Sequence, residues 1–121
     1  MGDRTFPRSE RLTSVEEFQA VFQRGTRVER PSVLVLWREV RGSRKAGFAV
    51  SRQIRGAVHR NRARRRVREA YRVSRQTLPE GVQLVVVARS RAEVGPYREI
   101  LRDMREALAT VAKRCRQADE A

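Results

Sequence analysis

Half of the sixteen residues from Arg60 to Arg75 are arginine, and Glu69 is the only acid among them. A protein core cannot absorb that much unpaired positive charge, so this segment faces water or a polyanion. Arginine's planar fork suits phosphate. Other chemistries find poorer material. His59 is the only histidine and lies just before the arginines, without a positioned acid–base partner in the sequence around it. It reads as a surface or capping residue rather than an acid–base catalyst. Aspartate occurs only at Asp3, Asp103 and Asp119, so the clustered carboxylates of a two-metal nuclease are not visible, and no metal site is expected. Cys115 falls on an apolar helical stripe and reads as a buried thiol. The residues point to a nucleic-acid-binding module with no catalytic centre of its own.

The whole chain shares the bias. It has 121 residues, about one domain, and a net charge of +14. That charge draws nucleic acid from a distance. Lys45 and Lys113 are the only lysines. Codon usage can produce part of this preference, so the abundance of arginine carries no weight by itself. No run approaches the roughly 20 apolar residues that span a bilayer, and MGDRTFPRSERL lacks the apolar stretch of a signal peptide. A single cysteine makes no intramolecular disulfide, which suits a reducing cytoplasm. No membrane partner is expected.

The elements that hold the arginines follow in order. Residues 1–11 read as a basic flexible arm. Residues 12–115 form a single α+β domain, and 116–121 a polar tail. Ser14 and Glu17 fit a capping box. Leu12, Val15, Phe18 and Phe22 then share a helical side, and Gly25 stops the helix. Val33–Trp37 and Gly47–Ser51 read as two strands, separated by a turn signal at Arg41–Arg44 and expected to pair as a hairpin. From Gly56 the period is helical. Ala63, Val67, Ala70, Tyr71 and Ser74 form an inner stripe. Asn61, Arg64, Arg65, Arg68, Arg72 and Arg75 lie opposite, with Arg62 and Glu69 on the flank. Leu78–Gly81 ends this helix, and Val82–Ala88 is apolar enough for a central strand. Gly95-Pro96 opens a last helix with Ile100, Leu101, Met104, Leu108, Val111 and Cys115 inside. The order α-β-β-α-β-α describes an α+β fold, a small mixed sheet covered by helices in a two-layer sandwich.

Solvated faces usually mix charge signs, and the arginine helix does not. Phosphate contacts carry no base sequence, so recognition of structured RNA by shape suits it better than reading a DNA groove. Phe18 and Phe22, one helical turn apart, fit either core packing or a platform for unpaired bases.

The stretch Gly56-Ala-Val-His-Arg-Asn-Arg-Ala-Arg-Arg-Arg-Val-Arg-Glu69 closely resembles the protein component of bacterial ribonuclease P. The pattern rests on Gly56, Val58, Arg60, Asn61, Arg62, Arg64, Arg65, Arg68 and Glu69. Gly47-Phe-Ala-Val-Ser-Arg52, Phe18-Gln-Ala-Val-Phe22 and Val85-Val-Val-Ala-Arg89 extend it, so that it spans about residues 10 to 112. The resemblance implies the small subunit of a ribonucleoprotein that removes the 5′ leader from precursor tRNA, with the RNA subunit as catalyst and as main holder of Mg²⁺. It implies RNA contact through Arg60, Asn61, Arg62, Arg64, Arg65, Arg68 and Arg72. It also implies a cleft for the single-stranded leader near Phe18, Phe22, Ser51 and Arg52. The partners would be the catalytic RNA and precursor tRNA, with no obligate protein partner and no cofactor in the protein. A left-handed β-α-β crossover over residues 47–88 is implied as well. Relatives often carry aromatics in the first strand, where this chain has Ser32-Val-Leu-Val-Leu-Trp37. More of the leader contact would then fall to Phe18 and Phe22. Two alternatives come from other classes: a ribosomal or RNA-chaperone-like structural protein, which would share the basic helix, and a protein-only nuclease, which the missing carboxylate cluster argues against.

Overall fold

The computed structural model describes residues 8–42 and 44–120. Helix α1 spans Val15–Arg24, strands β1 to β3 span Thr26–Glu29, Val33–Glu39 and Lys45–Val50, and helix α2 spans Ala57–Ser74. Strand β4 spans Val82–Ala88, followed by a short helix α3, Ser90–Val94, and a long helix α4, Tyr97–Glu120. The fold is mixed α+β. Its sheet has the order β1-β2-β4-β3, with β3 and β4 parallel and the other pairs antiparallel.

Residue chemistry sets this order. Six of the seven residues of β4 are buried, which is the signature of a strand covered on both faces. It therefore takes the centre and separates β2 from β3. The expected β2–β3 hairpin does not form: β2 pairs with β1 and β4, and β3 pairs with β4 alone among the strands. The parallel β3–α2–β4 unit is what places α2 over the sheet. Strand β1 (TRVE) and helix α3 were not expected. One has a single buried residue, Val28, and the other is five residues long, so neither leaves a periodic signal.

Alternation along β2 divides two cores. Val33, Val35 and Trp37 join Leu84, Val86 and the inner faces of α2 and α4. Leu36 joins Val85 and Val21 of α1, with Leu34 packed beside them. Helices α2 and α4 make the main second layer, and α1 closes part of the opposite face. Buried Asp103 on α4 clasps the start of β2, accepting hydrogen bonds from Ser32 N (3.0 Å) and Ser32 Oγ (2.6 Å).

Residues 1–7 of the expected arm lie outside the described residues. Residues 8–11 are tied to the body. Arg11 bridges to Ala46 on β3, and Glu10 accepts from Arg44 Nε (2.9 Å) and Arg75 Nη1 (2.6 Å). Burial alone would raise the Glu10 pKa, but hydrogen bonds and charge from Arg44 and Arg75 outweigh it and hold the carboxyl below its ordinary range. The α4 backbone stays helical through residues 116–120 of the expected tail.

Candidate nucleic-acid interface

Helix α2 begins at Gly56, whose φ of 92° is open to glycine and strained for other residues. Ala63, Val67, Ala70 and Tyr71 are fully buried beneath it. The small alanines let the helix axis come close to the sheet. Tyr71 meets Phe48 edge-on, with ring centroids 5.7 Å apart. Burial pushes the Tyr71 hydroxyl's pKa upward, so it stays neutral.

The eight arginines of this stretch divide by what their guanidinium groups touch. Arg62, Arg65 and Arg68 are exposed with Asn61, and Arg64 is half-buried beside them, donating to Asn61 Oδ1 (3.1 Å). Arg72 forks onto Glu69, with Nε and Nη2 to Oε1 at 3.0 and 2.6 Å. The Arg72 hydrogen bond keeps the Glu69 carboxyl below its usual range, so this acid holds Arg72 in place as a fixed anion. Three arginines turn inward. Arg60 donates to Ser51 O and Ile54 O at 3.0 Å and to Val50 O at 3.3 Å. Arg66 caps α3 through Ala92 O and Glu93 O. Arg75 faces Glu10 rather than the solvent side expected of it. The helical wheel missed this because α2 ends at Ser74 and Arg75 enters a 3-10 turn.

His59 is exposed, and its Nδ1 lies 3.3 Å from Glu93 Oε1, with Arg62 Nε 4.0 Å from the same carboxylate. Among the described residues, no three His, Cys, Asp or Glu side chains gather as a metal-ligand set. No described helix is long and apolar enough to cross a membrane.

The opposite face of the sheet carries α1. Ser14 caps it, accepting from Glu17 N at 3.3 Å. The Glu17 carboxylate accepts instead from Gln83 Nε2 (2.7 Å), so the reciprocal half of the capping box is absent. Val21 is the fully buried anchor, while Val15 is 70% exposed. Phe18 and Phe22 stack, with centroids 6.3 Å apart and planes 12° from parallel. They divide the two roles open to them. Phe18 packs against the core cluster, over Gly47, where a Cβ would stand 3.0 Å from the ring. Phe22 is 49% exposed.

Two depressions open on this face. One, of about 410 Å³, runs along α1 and is lined by Leu12, Val15, Phe18 and Phe22 among others. The other, of about 370 Å³, has Leu34 and Val87 in its wall with Ser51, Arg27, Arg89 and Arg91. Half-buried Leu34, Ala49 and Val87 pack against the same cluster as Phe18. The four residues expected in one cleft are thus spread out. Phe18 and Phe22 line the first depression, Ser51 lines the second, and exposed Arg52 lines neither. Trp37 is buried on the α2–α4 side and reaches neither. Leu34, Val87 and the three rim arginines were not singled out in the sequence. The signal for Leu34 and Val87 was the alternation along β2 and β4, hidden because both strands are largely apolar on both faces; the arginines lie on β1, just after β4 and in α3.

The chain matches the family model described as Ribonuclease P over residues 6–112. The ribonuclease P protein component of Kocuria rhizophila is 36% identical over 110 residues, covering 90% of this chain and 97% of that protein. That of Brevibacillus brevis is 40% identical over 88 residues, with 71% and 70% covered. Among solved structures, the RNase P protein from Thermotoga maritima superposes with a TM-score of 0.67 at 28% identity, over 87% of this chain and 96% of that one. The Staphylococcus aureus RNase P protein, at 22% identity and a TM-score of 0.71 over 84% and 94% of the two chains, shares the fold. Carrying that fold, and matched in sequence across nearly its whole length, the chain belongs to the family of ribonuclease P protein components.

Proposed function

We propose that the chain is the protein subunit of the cytoplasmic ribonucleoprotein endoribonuclease that removes the 5′ leader from precursor tRNA. In this reading α2 docks on the catalytic RNA subunit, the α1 face receives the single-stranded leader, and the RNA performs the hydrolysis with its own Mg²⁺. The observation that carries it is the division of α2. Its inner stripe is wholly buried, while Asn61, Arg62, Arg65 and Arg68 stand in solvent with Arg64 and Arg72 beside them. A rigid row of cations on a packed helix offsets the repulsion between two RNAs and lowers the Mg²⁺ needed to bring them together. Arg60 belongs to this reading as a positioning residue, since its guanidinium fastens the β3–α2 loop from which the helix starts.

The carboxylates support an accessory rather than a catalytic protein. Glu10, Glu17, Glu69, Glu99 and Asp103 are each engaged by neighbouring cations or hydrogen-bond donors. The second face supports leader contact. Phe22 offers an open ring for base stacking, and Arg27, Arg89 and Arg91 border the next depression.

Changing Arg64, Arg65 and Arg68 to alanine should weaken binding to the cognate RNA subunit and flatten its salt dependence. Unchanged binding and slope would remove α2 as the docking face. A ribosomal or RNA-chaperone-like role, which the cationic helix alone would also fit, is separated by leader length. The proposed subunit binds long-leader precursor tRNA more tightly than leaderless tRNA, and the alternative shows no difference.

A further inference from the structure

Helix α4 lies beside α2 over the same face of the sheet and carries charge that the α2 reading does not use. Arg98, Arg102 and Arg105 are all exposed. Their i, i+4, i+7 spacing places them in one row along the helix. The row covers about 10 Å at 1.5 Å per residue.

Solvated helices usually pair such arginines with acids one turn away, and α4 has the acids. Glu99 is three residues from Arg102, and Glu106 is four residues beyond it. Both are engaged off the helix. Glu99 accepts from Arg91 Nε (2.9 Å) and Nη2 (3.1 Å), and Glu106 lies 3.2 Å from Arg30. Among the described residues, Arg102 pairs only with its chain neighbour Asp103, at 3.9 Å, and that carboxylate already serves Ser32. No ion pair reaches Arg98 or Arg105 among the described residues. The acids of α4 are thus drawn toward neighbouring segments, and a cationic row is left in solvent.

The row lies on a helix that packs directly against α2. Half-buried Tyr97, at the start of α4, lies within electrostatic reach of Glu69, Arg72 and Arg66 of α2 and of Arg105. Packed helices stand about 8–10 Å apart, which sets two rows of cations on one plate.

We propose that Arg98, Arg102 and Arg105 form a second phosphate-binding ridge, which extends the α2 docking face onto α4 and grips the backbone of the same structured RNA. The inference rests on the α2 reading for its partner and on the engaged acids of α4 for its location. Guanidinium groups in a row suit a phosphate backbone and give affinity without base specificity.

The test is equilibrium binding to a transcript of the cognate ribonuclease P RNA across a salt series. The variants are Arg98→Ala/Arg102→Ala/Arg105→Ala, the same triple to lysine, Arg64→Ala/Arg65→Ala/Arg68→Ala, and Arg24→Ala/Arg41→Ala as a control for net charge on neither helix. Each contact contributes about 0.7–0.9 to the slope of log affinity on log salt, so losing three lowers its magnitude by about 2. The α4 alanine triple should show that loss, the lysine triple should retain the parental slope, and the control should lose much less per charge. A parental slope in the α4 alanine triple overturns the ridge. So does a control that loses as much per charge, which would mean the effect is diffuse. The α2 triple separates the two readings. If it loses slope and the α4 triple does not, only the ridge fails. If the α4 triple loses slope and α2 does not, the ridge stands and the α2 docking face fails.

Discussion

Arg60 sits inside the arginine-rich stretch, yet its side chain is committed to the fold. Its guanidinium donates to three backbone carbonyls at the end of β3 and in the following loop. Arg60→Ala removes these bonds and leaves the β3–α2 loop with its own turn hydrogen bonds and the Ser51–Ala88 tie. A hydrogen bond to a charged group contributes about 1.5–3 kcal/mol. The carbonyls are only partly buried and regain water, so the low end for the two 3.0 Å bonds applies, about 3 kcal/mol together. That is a large share of the roughly 5–15 kcal/mol that stabilises a domain. For a chain of this size it lowers Tm by roughly 10 °C. Lysine at this position reaches one carbonyl at best and recovers part of the loss. The assay is thermal unfolding followed by circular dichroism, paired with the salt dependence of RNA binding well below the variant's Tm. Arg60→Ala should melt early and keep the parental slope. Arg65→Ala, exposed on the outer face, should keep the parental Tm and lose slope. If Arg60→Ala melts within about 2 °C of the parent and loses slope instead, its guanidinium contacts RNA and the positioning role is wrong.

The Glu10 bridge gives a pH signature. A carboxyl whose folded pKa is depressed contributes stability above its unfolded pKa of about 4.3 and loses it as pH falls through the folded value. The parent should therefore exceed Glu10→Gln in urea stability at neutral pH, with the gap closing under acid; a gap that persists at low pH would place its source elsewhere. Asp103→Ala orphans two donors of Ser32, one of them backbone, and should cost about 2–5 kcal/mol in urea unfolding. Ser32→Ala keeps the backbone bond and should cost clearly less, and equal losses would contradict the clasp. Phe22→Ala should leave Tm nearly unchanged while weakening long-leader substrates more than leaderless tRNA. Phe18→Ala should lower Tm as well, because its ring packs over Gly47; the reverse pattern would exchange the two roles.

The three longer helices were legible because their caps and stripes are local. Ser14 and Gly25 bound α1, and the Ala63–Ser74 stripe is the buried face of α2 as its period required. Strand pairing was not local. The short link between β2 and β3 suggested a hairpin, but the two-sided burial of β4 drove it between them. The polarity of α2 could be read from angles alone. Which arginines serve the fold could not, because Arg60, Arg66 and Arg75 find partners up to 65 residues away in sequence. The α1 face was half visible. The phenylalanine pair showed in the periodicity, whereas the floor at Leu34 and Val87 emerges only once β2 and β4 lie side by side.

The proposed role makes this protein the servant of an RNA catalyst. The direct measurement is 5′-leader removal from precursor tRNA at low Mg²⁺, with the protein alone, the cognate RNA subunit alone, and the two together. Cleavage that requires the RNA subunit and is strongly raised by the protein, and that disappears when the RNA subunit is digested beforehand, is the predicted result. Cleavage by the protein alone, or an RNA subunit that works equally well without it, would contradict that role.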